Sequence, residues 1–341
     1  MLVPLMQRQG QESHKRIPSL DGWRAIAIVM VVIAHYGPLH NEAFDIGRHG
    51  VGIFFVLSGY LITTNLLLER EREGRIDIRN FYTRRFFRLM PVAWTLLFFG
   101  FLFRVIDIRE LASCVFFYRN FLTHTRTLIT QHFWSLSIEE QFYFVWPWVL
   151  AALTPRRARN FAIAFACAVA FYRFMAPPLD PQDPRTQFRV DGLLVGCAFG
   201  LSPRLPRMSP TLFWISVPAV GACVHLFPSG PPFLDSLLIG WMIHTTGNGD
   251  IPLAQKALNW KPVAAVGMMS YSLYVWQMPL CGLPHNTILQ MAAVLSLLGS
   301  FTILSYTYIE MPAKKLGLWL LARRDETTRF VVPASSELST P

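Results

Sequence analysis

An apolar stretch near the start of the chain carries two ionisable residues, Arg24 and His35, eleven residues apart. Residues 25–34 between them are all apolar. In an α-helix, eleven residues return to nearly the same face and rise roughly 16 Å, about half the thickness of a bilayer core. Ionisable groups within a membrane helix are costly and usually line an internal site, so the pair is a candidate for acid–base chemistry. The alternative is that Arg24 anchors the helix end and His35 lies at the interface.

Two other motifs place charge beside apolar segments. Arg85 and Arg88 are neighbours on one helical face just before Pro91. Paired guanidinium groups suit phosphate binding, and plain topogenic charge is the alternative. Glu139 and Glu140 lie in an aromatic segment, where a carboxylate needs a partner or serves as a general acid or base. A structural ion pair with an arginine of another transmembrane helix is an equal alternative.

Small and polar residues mark two weaker candidates for substrate contacts. Ser58 and Gly59 interrupt an apolar segment and would let a ligand, or more commonly a second helix, approach closely. Arg189 and Asp191 are either polar contacts to an acceptor or the boundary of a helix. The sequence has no Gly-rich phosphate loop and no nucleophile elbow, and its histidines lack metal-ligand spacing, so we predict no metal site.

Composition identifies the class of protein. Of the 341 residues, 52% are hydrophobic and only 15% are charged, which indicates a polytopic, all-α membrane protein. The net charge of +10 would be compatible with nucleic acid. Because the basic residues cluster between apolar segments, as topology signals do, we exclude nucleic-acid binding. The five cysteines are scattered singly, which argues against a disulfide framework.

The apolar segments predict about ten transmembrane helices. They cover residues 20–38, 50–69, 89–106, 133–153, 159–175, 189–202, 211–227, 232–248, 264–284 and 287–309. With a cytoplasmic N-terminus, every Lys and Arg cluster between them falls on the cytoplasmic side. Residues 110–123 are too short to span and are expected to be re-entrant or interfacial. We therefore predict a multi-pass protein of the inner (cytoplasmic) membrane, with residues 1–19 and 313–341 as cytoplasmic segments flanking a membrane domain at 20–312. An interfacial amphipathic helix is expected from Lys314.

Seven motifs together resemble the integral-membrane acyltransferase 3 family. They are Leu20-Asp-Gly-Trp-Arg24 with His35, Phe55-Val-Leu-Ser-Gly-Tyr-Leu-Ile62, Arg84-Arg-Phe-Phe-Arg88 with Pro91, Phe133-Trp-Ser-Leu-Ser-Ile-Glu139 with Pro147, Arg189-Val-Asp-Gly-Leu-Leu-Val-Gly196, Ser270-Tyr-Ser-Leu-Tyr-Val-Trp276 and Ile309-Glu-Met-Pro312. The resemblance implies a ten-helix bundle that transfers acyl groups, usually acetyl, from cytoplasmic acyl-CoA to hydroxyls, often of sugars. It also implies that Arg85 and Arg88 serve the CoA phosphates, and that Arg24 and His35 are essential for transfer.

This chain departs from the family pattern at two positions. The family's Tyr-Leu-Trp-His is Tyr274-Val-Trp-Gln277 here, so any role of that histidine is lost or passes to the Gln277 amide. The closing Glu-Arg-Pro is Glu310-Met-Pro312, which lacks the cation. Some relatives carry a further extracytoplasmic catalytic domain. We expect none here, so transfer would go directly to the acceptor.

These observations predict a membrane O-acyltransferase that moves an acyl group, expected to be acetyl, from acyl-CoA to a carbohydrate or glycoconjugate acceptor. His35 would be the general base, with Glu139 orienting it and Arg24 positioning the donor or stabilising charge. A transporter or flippase of a sugar or lipid-linked substrate is the alternative, using the same charged track without covalent chemistry. An inactive relative that serves a partner complex is a second alternative.

Overall fold

A computed structural model describes residues 17–36, 46–122, 127–178, 183–226, 232–285 and 287–331. Every regular element in these ranges is helical, which confirms the all-α prediction. The α-helices are α1 Pro18–Tyr36, α2 Ile46–Glu73, α3 Ile78–Leu102, α4 Ile108–Val115, α5 Phe133–Ala152, α6 Pro155–Met175, α7 Thr186–Arg189, α8 Asp191–Gly200, α9 Pro210–Leu226, α10 Pro232–Gly247, α11 Pro252–Leu258, α12 Lys261–Met268, α13 Ser270–Cys281, α14 Ile288–Ser305 and α15 Met311–Val331. A 3₁₀ turn, Arg119–Phe121, and a π turn, Tyr306–Glu310, complete the set.

Four of the described helical stretches are long and apolar enough to cross a membrane. They are Pro18–Tyr36, Ile46–Glu73, Ile78–Leu102 and Ile288–Arg324. Asp191–Gly200 and Pro210–Ala222 are shorter apolar helices. A helix that crosses the hydrocarbon core needs about 20 residues, so these lengths support the predicted helical membrane protein. The orientation of the helices and the cellular membrane stay predictions.

Most predicted transmembrane segments coincide with a helix, and two of them differ clearly in their limits. α3 begins at Ile78 rather than at residue 89, because the Asp77 side chain accepts a hydrogen bond from the Asn80 N–H and caps the helix well before the apolar segment. The predicted segment 264–284 is divided between α12 and α13. The described part of the predicted segment 110–123, which ends at residue 122, contains only the end of the eight-residue α4 and the 3₁₀ turn, so it forms no spanning helix, as expected.

The C-terminal segment differs from the prediction of a separate amphipathic helix. α14 starts with a capping box between Thr287 and Gln290 and continues through the π turn into α15. Pro312 lacks an N–H, and the π turn directly before it is where regular α-helical hydrogen bonding already changes. The chain therefore stays helical across the proline to Val331.

The described residues divide into two compact units. Unit 1 comprises the described part of Met1–Thr63, with Arg159–Asp183 and Phe188–Ser270. Its core packs α1 and the first part of α2 against α10 and α11. The buried core residues include Leu20, Trp23, Ala27, Ile53, Val56, Leu57, Ile239, Ile243, Ile251 and Leu258.

Unit 2 comprises the described residues of Thr64–Ala158, Pro184–Gln187 and Tyr271–Pro341. Its core packs the second half of α3 against α5 and α13. The buried core residues include Leu89, Val92, Leu96, Leu97, Ile106, Phe133, Leu136 and Val275. In each unit this packing fixes the helices that carry the candidate site residues.

Candidate active site

Close backbone packing fixes the N-terminal end of α1 in unit 1. A Cβ at Gly22 would overlap the Leu258 backbone of α11, and a Cβ at Gly267 of α12 would overlap the Asp21 carbonyl. Only glycine permits such an approach of two helices. The Trp23 indole N–H also donates to Thr246 Oγ1 across 2.8 Å. The turn that carries Arg24 is therefore held on several sides.

Arg24 is paired within its own helix. Its Nη1 lies 3.2 Å from Oδ1 of Asp21, one turn earlier. The Asp21 side chain is buried, whereas 22% of the Arg24 side chain is exposed. A carboxylate at this spacing restrains the arginine and compensates part of its charge. The guanidinium is thus kept at one end of α1, as the sequence predicts.

His35 lies at the other end of α1 and has a defined tautomer. Its Nδ1 is 2.8 Å from the Val31 carbonyl oxygen. A carbonyl oxygen only accepts hydrogen bonds, so Nδ1 must carry the proton and donate it. Nε2 then has the lone pair and is the basic atom of the ring. This is the form that a general base requires, and the catalytic role itself stays a prediction.

The predicted substrate contacts Arg189 and Asp191 have separate partners in unit 1. Arg189 Nε donates to the Asp183 carbonyl oxygen across 2.9 Å. Asp191, 2% exposed, accepts a hydrogen bond from Arg173 Nη2 at 2.8 Å. This buried ion pair joins α6 to the start of α8, which supports the alternative of a structural boundary. The signal that sequence reasoning missed was Arg173, a single cation inside the apolar segment 159–175.

Ser58 and Gly59 lie in α2, where it crosses α8. A Cβ at Gly59 would overlap the Leu193 carbonyl, and a Cβ at Gly196 would overlap the Val56 carbonyl. The two glycines therefore permit a reciprocal crossing of the two helices at backbone contact. Gly59 has the packing role that was the commoner alternative, while a ligand contact by half-buried Ser58 stays a prediction.

Another ion pair in unit 1, between His49 and Asp235, was also not anticipated from the sequence. His49 Nδ1 lies 3.8 Å from Asp235 Oδ2, and both residues are buried. The pair joins the start of α2 to the start of α10. An aspartate inside the predicted apolar segment 232–248 was the available signal, because a carboxylate in such a segment requires a partner.

In unit 2, the arginine motif and the glutamate motif meet. Arg85 Nε lies 3.2 Å from Glu140 Oε1, and Arg85 Nη2 lies 3.6 Å from Glu139 Oε2. The Arg85 Cζ also lies 3.1 Å from the centre of the Tyr143 ring, which is a cation–π contact. The Tyr143 hydroxyl donates to Glu139 Oε2 across 2.8 Å. The ion pair with an arginine of another helix, one of the two alternatives for these glutamates, is therefore present. Orientation of His35 by Glu139 stays a prediction.

Further charged groups extend this cluster. The Tyr271 hydroxyl donates to the Leu89 carbonyl oxygen across 2.6 Å and interacts electrostatically with Arg85 and Arg88. Glu310, 1% exposed, accepts a hydrogen bond from Ser272 and pairs with Lys314. We call Arg85, Arg88, Glu139, Glu140, Glu310 and Lys314 the buried charge cluster, in which Glu140 and Glu310 are buried and the other four residues are partly buried. Its three cations offset its three carboxylates, which makes burial tolerable. Lys314, one turn after Glu310, supplies the cation that the Glu-Met-Pro motif lacks.

Gln277, where the family pattern has histidine, lies in α13 with no exposed surface. One turn earlier, Tyr274 forms hydrogen bonds with Ser135 Oγ at 2.6 Å and with the His132 carbonyl oxygen at 3.0 Å. A hydrogen-bonding role of the buried Gln277 amide stays a prediction. Among the described residues, no group of three His, Cys, Asp or Glu side chains could hold a metal ion.

The family model described as an acyltransferase domain matches residues 17–310. The chain belongs to this acyltransferase family. Membership confirms the family predicted from the seven motifs. The matched residues include both α1 with Arg24 and His35 and all of the buried charge cluster except Lys314.

Three curated relatives are O-acetyltransferases by name. The chain is 30% identical to the peptidoglycan O-acetyltransferase OatA of Listeria monocytogenes, across 92% of this chain and 58% of the relative. It is 30% identical to the putative peptidoglycan O-acetyltransferase YrhL of Bacillus subtilis (92% and 57%), and 28% identical to the O-acetyltransferase OatA of Staphylococcus aureus (89% and 58%). The chain thus spans less than two thirds of the length of these relatives. No solved structure matches it.

Proposed function

We propose that this acyltransferase moves an acetyl group from acetyl-CoA to a hydroxyl of a carbohydrate, with a peptidoglycan-type glycan as the acceptor class. Family membership and the names of the relatives support O-acetylation. The observation that carries the mechanism is the His35 tautomer, because the hydrogen bond from Nδ1 to Val31 leaves Nε2 as a base.

The reaction needs one proton acceptor that later returns the proton. As the acceptor hydroxyl oxygen attacks the thioester carbonyl carbon, His35 Nε2 takes the hydroxyl proton. The new C–O bond replaces the C–S bond, and CoA leaves as a thiolate. The imidazolium then returns the proton to the thiolate, which restores the neutral ring.

The role of Arg24 follows from its distance to His35. Eleven residues along α1 separate the two by roughly 16 Å, which is too far for both side chains to contact one carbonyl carbon. We therefore assign Arg24 to the donor, where it would hold the pantetheine arm, rather than to the oxyanion. The Asp21 carboxylate keeps the guanidinium at that position.

Arg85 and Arg88 are assigned to the CoA phosphates, with unequal shares. Arg85 already contacts two carboxylates and an aromatic ring, so much of its charge is compensated. A guanidinium carries five N–H groups, so a phosphate contact remains compatible with these partners. Arg88, one turn later, would carry more of the phosphate binding, while Arg85 mainly positions the cluster.

The test is a transfer assay with the purified full chain in lipid nanodiscs. Acetyl-CoA is supplied with chitotetraose, an uncharged N-acetylglucosamine oligomer, and both free CoA thiol and acetylated sugar are measured. We expect both products in equal amounts. Acetylated sugar formed from another acetyl donor but not from acetyl-CoA would overturn the donor assignment. Sugar transport in proteoliposomes without acetylation would favour the transporter alternative.

A further inference from the structure

A cavity of about 800 Å³ opens at the C-terminal end of α3, in unit 2. Its walls include Phe98, Phe101, Arg104, Asp107, Glu110 and Thr127. Phe98 lies ten residues beyond Arg88 on the same helix, which corresponds to about 15 Å. The cavity is therefore separate from the buried charge cluster. None of its lining residues belongs to the motifs that identified the family.

The chemistry of the lining combines aromatic rings with oxygen acceptors. Phe98 and Phe101 are 61% and 45% exposed, so their rings present open apolar surface. Asp107 and Glu110 supply carboxylates, and Thr127 supplies a hydroxyl. A sugar ring has apolar C–H faces that pack on aromatic rings and hydroxyls that donate to carboxylates. The two carboxylates outnumber the one cation of the lining, Arg104, and would repel an anionic group such as a lipid phosphate, so an uncharged saccharide fits better.

The polar wall is fixed before any ligand binds. Glu110 is 5% exposed, and its Oε2 accepts a hydrogen bond from Thr127 Oγ1 at 2.9 Å. Asp107 Oδ1 accepts from the Glu110 backbone N–H at 2.8 Å, which caps α4. Glu110 is buried, and the exposed Asp107 is held by its capping hydrogen bond, so ordering the two carboxylates on binding would cost little conformational entropy.

Arg104 adds a cation to the lining of the same cavity. Its φ of 55° lies in the left-handed region, which glycine adopts without strain and arginine does not. Hydrogen bonds from Phe103 N to Phe99 O and from Val105 N to Gly100 O hold the backbone there. This is the C′ position of a helix C-cap, where the hydrogen bonds of Arg104 N to Phe101 O and of Val105 N to Gly100 O end α3. Because Arg104 lines the cavity, its guanidinium can donate to ligand oxygens beside the two carboxylates.

We propose that this cavity, here called the α3 cavity, binds one uncharged saccharide unit of the acceptor. The inference rests on the proposed function, for which it supplies the acceptor subsite. It fits the predicted topology, in which the C-terminal end of α3 faces the outside and the arginine motif faces the cytoplasm.

The test compares two cavity variants with two matched controls. Arg104→Gly removes the guanidinium and relieves the positive φ, so the fold should be at least as stable as the wild type. Phe101→Ala removes an aromatic wall without changing the backbone. The controls are Arg109→Ala, which removes an exposed cation from α4, and Phe103→Ala, which removes a ring that is 71% exposed. Neither control residue lines the cavity.

Binding of chitotetraose to the full chain is measured by calorimetry without acetyl-CoA, and thermal unfolding is recorded for each variant. We expect both cavity variants to bind at least tenfold more weakly, about 1.4 kcal/mol, and both controls to stay within twofold of the wild type. In the transfer assay the KM for the sugar should rise by a similar factor, while the KM for acetyl-CoA should not change.

The inference would be overturned if the wild-type protein did not bind chitotetraose, or if the cavity variants bound it as tightly as the controls do. It would also be overturned if only short-chain phosphatidylglycerol displaced the sugar, because that would indicate a lipid site. If Arg104→Gly lowers the unfolding temperature, the sugar affinity of Phe101→Ala alone decides whether the inference holds. The binding assay contains no donor, so it is independent of catalysis. Normal sugar binding with no acetyl transfer would contradict the proposed function while leaving the α3 cavity as a saccharide site.

Discussion

The two units stabilise their candidate residues by different means. In α1 of unit 1, the candidate residues have partners within their own helix: Arg24 contacts Asp21 one turn away, and His35 donates to Val31. The helices themselves are held by close crossings at glycine, as at Gly59. In unit 2, charge is paired between distant segments, above all by Arg85 of α3 with two glutamates of α5.

This difference predicts which residues can be changed without loss of the fold. A residue paired within its own helix can be replaced while the helix and its packing remain. A residue whose charge compensates buried groups of another helix cannot be replaced without loss of stability, because its removal leaves those groups unpaired. Loss of activity would thus report chemistry in α1, and loss of stability would report structure at the pairing of Arg85 with Glu139 and Glu140.

The largest stability effect is expected for Arg85→Ala. The change leaves Glu139 and Glu140 without their arginine in a largely buried setting, which should cost about 3–5 kcal/mol in the free energy of unfolding. Denaturant unfolding in detergent measures it. The matched control is Arg84→Ala. The Arg84 side chain is 43% exposed and pairs with Glu69, so its removal should lower the free energy of unfolding by less than about 1 kcal/mol. Equal losses of stability in Arg85→Ala and Arg84→Ala would contradict the structural role assigned to Arg85.

A smaller loss, about 1–3 kcal/mol, is expected for Gly59→Ala. The added methyl group would overlap the Leu193 carbonyl and push α2 away from α8. Gly52→Ala in the same helix is the control, because a Cβ there meets no atom within 4 Å. Alanine is the better helix former, so that variant should gain about 0.5–1 kcal/mol. Lost activity at unchanged stability in Gly59→Ala would instead favour a ligand contact.

Arg88→Ala should raise the KM for acetyl-CoA by about tenfold with little change in kcat, because phosphate contacts far from the thioester provide uniform binding. Arg88→Lys should recover only part of the loss, since the planar fork is gone. Steady-state kinetics at varied acetyl-CoA measures both, with exposed Arg79→Ala as the control. A normal KM in a folded Arg88→Ala protein would mean that the motif is topogenic.

The smallest effect concerns Gln277. If its buried amide replaces the family's histidine as a hydrogen-bonding group, Gln277→His should retain activity. Gln277→Leu should then lower kcat/KM by roughly fivefold to tenfold, the cost of a lost buried hydrogen bond. The two variants are compared in the transfer assay at matched expression. Full activity of the leucine variant would identify the position as packing only.

Sequence reasoning succeeded where interactions follow helical spacing. The helix that carries Arg24 and His35 was predictable because residues 25–34 are uniformly apolar, and the i, i+3 arrangement of Arg85 and Arg88 needs no tertiary information. The partner of Arg85 was not predictable, because Glu140 is 55 residues away and any arginine of another helix would have satisfied it. A single sequence contains no signal for such a choice.

Other features were missed because the local sequence argues against them or is silent. Arg104 adopts a left-handed backbone that its residue type disfavours, so no propensity rule would place it there. The last predicted transmembrane segment ended at residue 309, whereas the π turn allows the helix to continue across Pro312. Arg173 was a detectable signal, since a lone cation in an apolar segment requires a partner, and Asp191 is that partner.

The most direct test of the account is the activity of His35→Gln. The glutamine amide can still donate to the Val31 carbonyl, so α1 should fold normally, but it has no basic nitrogen. We predict that kcat for acetyl transfer to chitotetraose falls by about 10²–10⁴-fold while the KM for acetyl-CoA and the unfolding temperature stay as in the wild type. A correctly folded His35→Gln protein that transfers acetyl at the wild-type rate would contradict the assignment of His35 as the general base.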